Sequence, residues 1–125
     1  MLKLIPGLAD NVIGIEAVGK VEAADYQQVL DPAAARAIRD HDRVRLLYVL
    51  GDQYEGYSAA AMWEDTKLGF HDLKAWERIA IVTDHSTLAE TIRVFGWLIP
   101  AEVRTYSVSQ LDEARQWIDE GALRS

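Results

Sequence analysis

Arg78-Ile79-Ala80-Ile81-Val82-Thr83-Asp84 carries an unbroken apolar run too short for most helices and closed by an acidic residue. Arg45-Leu46-Leu47-Tyr48-Val49-Leu50-Gly51 repeats that design and closes on glycine. Strands that face water on one side alternate apolar with polar residues, whereas strands covered on both sides read as continuous apolar runs. Two such runs separated by helical patterns predict an α/β chain with parallel inner strands and right-handed crossovers. In sheets of this kind ligands sit beyond the carboxyl ends of the strands. The search for a site therefore begins in the segments after Leu50 and Asp84.

A chain of 125 residues, half of them apolar, has the size of one domain and buries enough surface to need neither disulfide nor metal. One domain over residues 1–125 is the expectation. The absence of cysteine removes thiol catalysis and thiolate metal sites, and no cofactor is expected. No run approaches the ~20 apolar residues of a membrane span, and the first residues lack a basic region leading into an apolar secretory core. A cytoplasmic protein is the expectation. The formal charge of −7, with no cluster of Lys and Arg to offset it, repels phosphate backbones and anionic headgroups. Nucleic acid is not an expected partner, and any membrane contact is expected to be apolar and peripheral.

Leu2-Lys3-Leu4-Ile5 and Val12-Ile13-Gly14-Ile15-Glu16-Ala17-Val18 flank a turn-rich link from Pro6 to Asn11, the pattern of an antiparallel hairpin. Pro6 cannot donate to a ladder, which puts the hairpin at an edge. From Ala23 to Asp40, Tyr26, Val29, Leu30, Ala33, Ala37 and Ile38 recur at helical spacing, with Arg36 and Arg39 off the stripe. Pro32 is expected to kink that helix or restart it, and to force Asp31 out of α geometry. Gly51 to Tyr57 reads as a loop bracketed by glycines. Helices are expected after Ser58, over Phe70 to Trp76, after the capping-box spacing Thr87 to Glu90, and from Ser109 with Leu111, Ala114 and Ile118 buried. Glu102 to Tyr106 alternates as a strand near a sheet edge does.

Val12 to Val21, Asp25-Tyr26, Arg45-Leu46-Leu47-Tyr48, Ile79 to Asp84 and the closing Ala114-Arg115-Gln116-Trp117-Ile118, in this order and spacing, resemble the bacterial SpoIIAA-like proteins of the STAS-related superfamily. The resemblance covers nearly the whole chain. It implies a mixed sheet with an N-terminal antiparallel hairpin, parallel central strands and about four to five helices. It also implies a binding or regulatory role, since relatives with this fold include anti-sigma-factor antagonists switched by serine phosphorylation. The layout is similar to that of lipid-carrying CRAL-TRIO domains, and the SpoIIAA-like branch is associated with nonpolar ligands or membranes.

Tyr54, Tyr57, Met62, Trp63, Phe70 and Trp76 gather large side chains between the two inner strands. They read either as core and cover or as the lining of a groove for a nonpolar ligand, pockets being largely apolar. The groove is the leading functional expectation. Ser58 reads as a helix cap, and the resemblance adds a second role, since it is the position nearest the antagonists' phosphorylated serine. A phosphate at a helix start is favoured by the free amides there. His41, His71 and His85 match no metal spacing, and no Ser-His-Asp order or glycine-rich phosphate loop is present. Neighbours at a strand end point apart, so Asp84-His85 is not by itself a dyad. A non-enzymatic module is expected, with no catalytic residue and no metal ligand. The apolar run Trp97-Leu98-Ile99 marks a surface for a protein partner or a second copy, or folds back over the sheet edge.

Overall fold

A computed structural model describes residues 1–52, 54–57, 75–84, 90 and 101–121. Its strands are β1 (Leu2–Leu4), β2 (Val12–Ala17), β3 (Gly19–Val21), β4 (Val44–Leu50), β5 (Tyr54–Tyr57), β6 (Trp76–Thr83) and β7 (Glu102–Tyr106). Five of them form one sheet in the order β1-β2-β4-β6-β7, and β3 and β5 form a second, two-stranded sheet. β1 runs antiparallel to β2, and every other pair is parallel. The expected edge hairpin, the adjacent inner strands and the edge strand near the C-terminus are all present.

The two apolar runs are strands because each has helix-covered surface to fill on both faces. β4 is buried along its whole length. In the register with β6, Leu46 faces Ile79 and Tyr48 faces Ile81 on one side, while Leu47 faces Ala80 and Val49 faces Val82 on the other. The first side packs with Tyr26, Leu30, Ala34 and Ala37, and the second with Ala114, Trp117 and Ile118. Each strand thus feeds alternate side chains into two separate apolar layers.

The helix α1 covers the first layer. It comprises an α turn Ala23–Asp25, a π-helical segment Tyr26–Leu30 and an α segment Asp31–Asp40. Asp31 does not leave α geometry as expected: its φ of −59° and ψ of −46° are helical, and its N–H donates to the Tyr26 carbonyl five residues back. The proline ring crowds the carbonyl four residues earlier in an ordinary helix. The wider π turn directly before Pro32 takes up that crowding, so the helix continues without a break.

The helix α2 (Leu111–Asp119) covers the second layer. Its first turn is prepared by a 3₁₀ turn, Val108–Gln110, capped by Ser107 and Gln110 rather than by Ser109. Its far end is held by arginines. Arg45, only 5% exposed, donates through Nη1 to the carbonyls of Ile118 at 3.0 Å and Glu120 at 2.6 Å, and through Nε to Glu77 Oε1 at 2.7 Å. Arg78 Nη1 donates to the Trp117 carbonyl at 2.9 Å, and the guanidinium groups of Arg78 and Arg104 lie 5.1 and 4.6 Å from the Trp117 ring centre. Carbonyls left unpaired at a helix C-terminus carry partial negative charge, which these cations answer.

Three expectations are corrected. Gly51 to Tyr57 is not wholly a loop, because Tyr54–Tyr57 is a strand that pairs with β3. Trp76 does not end a helical turn: it opens β6, two residues before the apolar run quoted from Arg78. The described residues contain two full helices, α1 and α2, rather than four to five. The helix expected from Ser58 falls outside the described residues, as do nearly all of the turn from Phe70 and of the helix expected after Thr87, of which Glu90 alone is described and is helical.

Arg45→Met is expected to lower stability by about 2–4 kcal/mol, because it strands Glu77 and two helix-end carbonyls that have lost their donor. Urea unfolding followed by circular dichroism measures this, and Arg45→Lys, which offers a single charged point, is expected to recover less than half of the loss.

Candidate functional site

The parallel arrangement sends the carboxyl ends of β2, β4 and β6 to one pole of the sheet. There β2 leads through Val18 into β3, and β4 leads through a tight turn into β5, closed by a hydrogen bond from the Tyr54 N–H to the Gly51 carbonyl at 3.1 Å. Strands that are neighbours in the main sheet therefore stay partnered beyond it, since Gly19 registers with Tyr54 and Val21 with Tyr57. The register slips between Gly19 and Lys20, and Gly19 takes a φ of +66°, a conformation that side chains with a Cβ rarely adopt. This glycine lets the chain swing from the large sheet into the small one.

Tyr54 is half-buried at this pole and packs against the apolar layer under α1. Burial pushes its phenol above the ordinary value of 10.0, because ionisation would place charge where water is scarce. Deeper in the same layer the hydroxyls of Tyr26 and Tyr48 meet at 3.0 Å, both side chains being buried. In the sequence Tyr26 belongs to a helix stripe and Tyr48 to a strand, with no local pattern that pairs them. The signal was there: a hydroxyl inside an otherwise apolar run needs a buried partner.

The six aromatic and thioether positions do not form one cluster. Tyr54 and the backbone of Tyr57 lie at the carboxyl pole in β5. Trp76 registers with Val44 at the opposite end of β6, and it is buried in the layer beneath α1. It is a core residue. Met62, Trp63, Phe70 and Ser58 lie outside the described residues, together with His71, His85 and Trp97-Leu98-Ile99. Asp84 is exposed just past β6, where its Oδ1 accepts the Val108 N–H at 3.0 Å and so fixes the 3₁₀ turn before α2. That bond gives its carboxylate a structural task. Among the described residues no group of three His, Asp or Glu is arranged to hold a metal, and no helix is long and apolar enough to cross a membrane.

The described residues also contain a concavity at the other pole, a groove of about 500 Å³ between the turn of the β1–β2 hairpin and the second half of α1. His41 lines it, just past the end of α1. Nothing in the sequence reading anticipated this groove, because it arises from how a short edge strand meets a helix end and not from a local pattern.

Tyr54→Phe tests the buried phenol. Since the folded-state pKa is raised, the hydroxyl's contribution to stability is complete below about pH 10 and declines as pH rises through the raised value. The parent protein is expected to lose stability relative to Tyr54→Phe over that alkaline range, and the difference in tyrosinate absorbance at 295 nm between the two is expected to titrate above 10.0.

Comparison with known proteins agrees with this architecture. A crystal structure of an uncharacterized protein from the DUF3478 family with a SpoIIAA-like fold, from Shewanella loihica PV-4, superposes with a TM-score of 0.75 at 24% identity, over 94% of this chain and 92% of that one. Comparison with curated proteins returns no match. A family model described as SpoIIAA-like matches residues 12–119, which take in every described element except β1. The chain belongs to the SpoIIAA-like family.

Proposed function

We propose that this protein is a non-enzymatic binding module that takes a nonpolar small molecule at the carboxyl pole of its sheet. The observation that carries the reading is Tyr54. It sits where β4 gives way to β5, half-buried against the apolar layer under α1, so that apolar surface reaches the end of the sheet where ligands of parallel sheets lie. In the sequence Tyr57 closes the same strand, and Met62, Trp63 and Phe70 follow it before β6 begins. The engagement of Asp84 with the Val108 amide supports binding over catalysis, because it occupies the carboxylate nearest a strand end.

A second reading, a phospho-switched protein-interaction module, is favoured by one observation. β5 ends at Tyr57, so Ser58 follows a strand directly. The antagonists that the family resembles carry their phosphorylated serine where a strand gives way to a helix.

Titration with fatty acids and isoprenoids, read by tryptophan fluorescence, separates the two readings. A saturable change that weakens at least five-fold in Tyr54→Ala is the expected outcome. No saturable change with any of these compounds, combined with stoichiometric phosphate on Ser58 by mass spectrometry after incubation with an anti-sigma kinase, would replace the first reading with the second.

A further inference from the structure

The β7 edge of the large sheet supports an inference independent of the carboxyl-pole reading. The two edges of that sheet are unequal: on β1 the residue Leu2 is only 3% exposed, whereas no residue of β7 is buried. Among the described residues β7 pairs with β6 alone.

The registers fix which backbone groups of β7 are already used. The Arg45 N–H donates to the Asn11 carbonyl at 2.8 Å, so Arg45 turns its backbone toward β2. A parallel ladder engages alternate residues of each strand. Leu46 and Tyr48 therefore turn toward β6, Ile79 and Ile81 toward β7, and Glu102 and Arg104 back toward β6. Val103 and Thr105 are left with their N–H and C=O groups directed outward, and neither residue makes a hydrogen bond beyond the ladder among the described residues. Such an edge is a template for another strand.

The charges of β7 name that strand. Glu102 and Arg104 stand together on the α2 face, each side chain 52% exposed. Arg104 Nε and Nη2 lie 3.1 and 3.0 Å from Glu102 Oε2, and the guanidinium lies 4.6 Å from the Trp117 ring centre, so the cation is held in place before any partner arrives. Charges on an edge strand ordinarily deter pairing. Here they are of opposite sign and two residues apart, which makes the edge complementary to itself. A two-fold antiparallel pairing of β7 strands centres on one residue. Centring on Glu102 or on Arg104 opposes like charges, and centring on Thr105 or Tyr106 leaves Glu102 opposite no residue of the strand. Centring on Val103 joins outward groups to outward groups and sets Arg104 of each copy opposite Glu102 of the other. The two in-chain pairs then close into a ring of alternating charges.

We infer that β7 joins two copies of this chain edge to edge, antiparallel about Val103, into one continuous sheet. Main-chain hydrogen bonds supply the affinity, and the Glu102–Arg104 pairs between copies select the register and the partner.

Sedimentation velocity of the whole chain is expected to show a dimer that dissociates on dilution. Hydrogen exchange is expected to slow at the Val103 and Thr105 amides as chain concentration rises and to stay constant at Arg104, whose amide is already bonded to β6; this measurement needs no variant. Arg104→Glu and Glu102→Arg, each alone, are expected to weaken the dimer about ten-fold, since each opposes like charges twice. An equimolar mixture of the two variants is expected to dimerise as the parent does, because the arginines of one copy then face the glutamates of the other. Val103→Pro removes only an outward N–H, so it is expected to keep the fold by circular dichroism and to abolish the dimer. The inference is overturned by a parent chain that stays monomeric at millimolar concentration, by a dimer that survives Val103→Pro, or by a mixture of the two charge variants that remains monomeric.

Discussion

Exclusion of water from both faces of β4 is the constraint on which the rest of this structure depends. A strand in that position has to present apolar side chains in both directions, which divides the interior into two layers and demands a cover for each. α1 and α2 are those covers, and each is amphipathic for that reason. The central strand nevertheless contains Arg45, and a guanidinium so placed is tolerable only where it is paired and hydrogen-bonded. Glu77 and the carbonyls of Ile118 and Glu120 take three of its five N–H groups. The same residue that threatens the core therefore fixes the angle and position of α2 upon it.

The functional geometry follows from the parallel connections. Because β2 and β4 run the same way and both continue past the main sheet, their extensions meet as β3 and β5 and build out one pole. Tyr54 owes its half-buried position to that extension. The other pole is shaped by different forces: there the β1–β2 link packs tightly over Gly14, where a Cβ would come within 2.5 Å of Leu8 Cδ1 and 2.9 Å of Ile5 Cβ. Packing this close draws the hairpin turn over one face of β2, while Leu4 is left open on the other. The two poles thus differ in kind, one an outgrowth of paired strands and the other a groove between the hairpin turn and the end of α1.

The elements written as local patterns were legible before any coordinates. The paired apolar runs gave two adjacent parallel strands, Pro6 gave an edge hairpin, and the stripes through Tyr26 and Ala114 gave two helix faces. The misreadings have physical sources. Tyr54 to Tyr57 lies between glycines, so its strand character comes from a tertiary partner, β3, and not from its own composition. Trp76 stands near the other aromatics in sequence, but sequence proximity says nothing about which pole a residue occupies, whereas parallel register decides that at once. Asp31 kept its helical dihedrals because a π turn, a rare choice with no compositional mark, absorbed the strain of Pro32. The candidate site was legible in direction, toward the carboxyl ends, and only in part in membership.

The arginine clasp also has a temporal side. Arg45 reaches Ile118 and Glu120 across 73 and 75 residues of chain. On a ribosome those carbonyls emerge several seconds after the guanidinium, at the ordinary pace of synthesis of roughly 5–20 residues per second. Until they do, the layer under α1 is free to assemble, while the second face of β4 and β6 lies open with a cation exposed on it. That charge makes the nascent face a poor surface for strand-on-strand aggregation, and its desolvation is deferred to the moment α2 arrives.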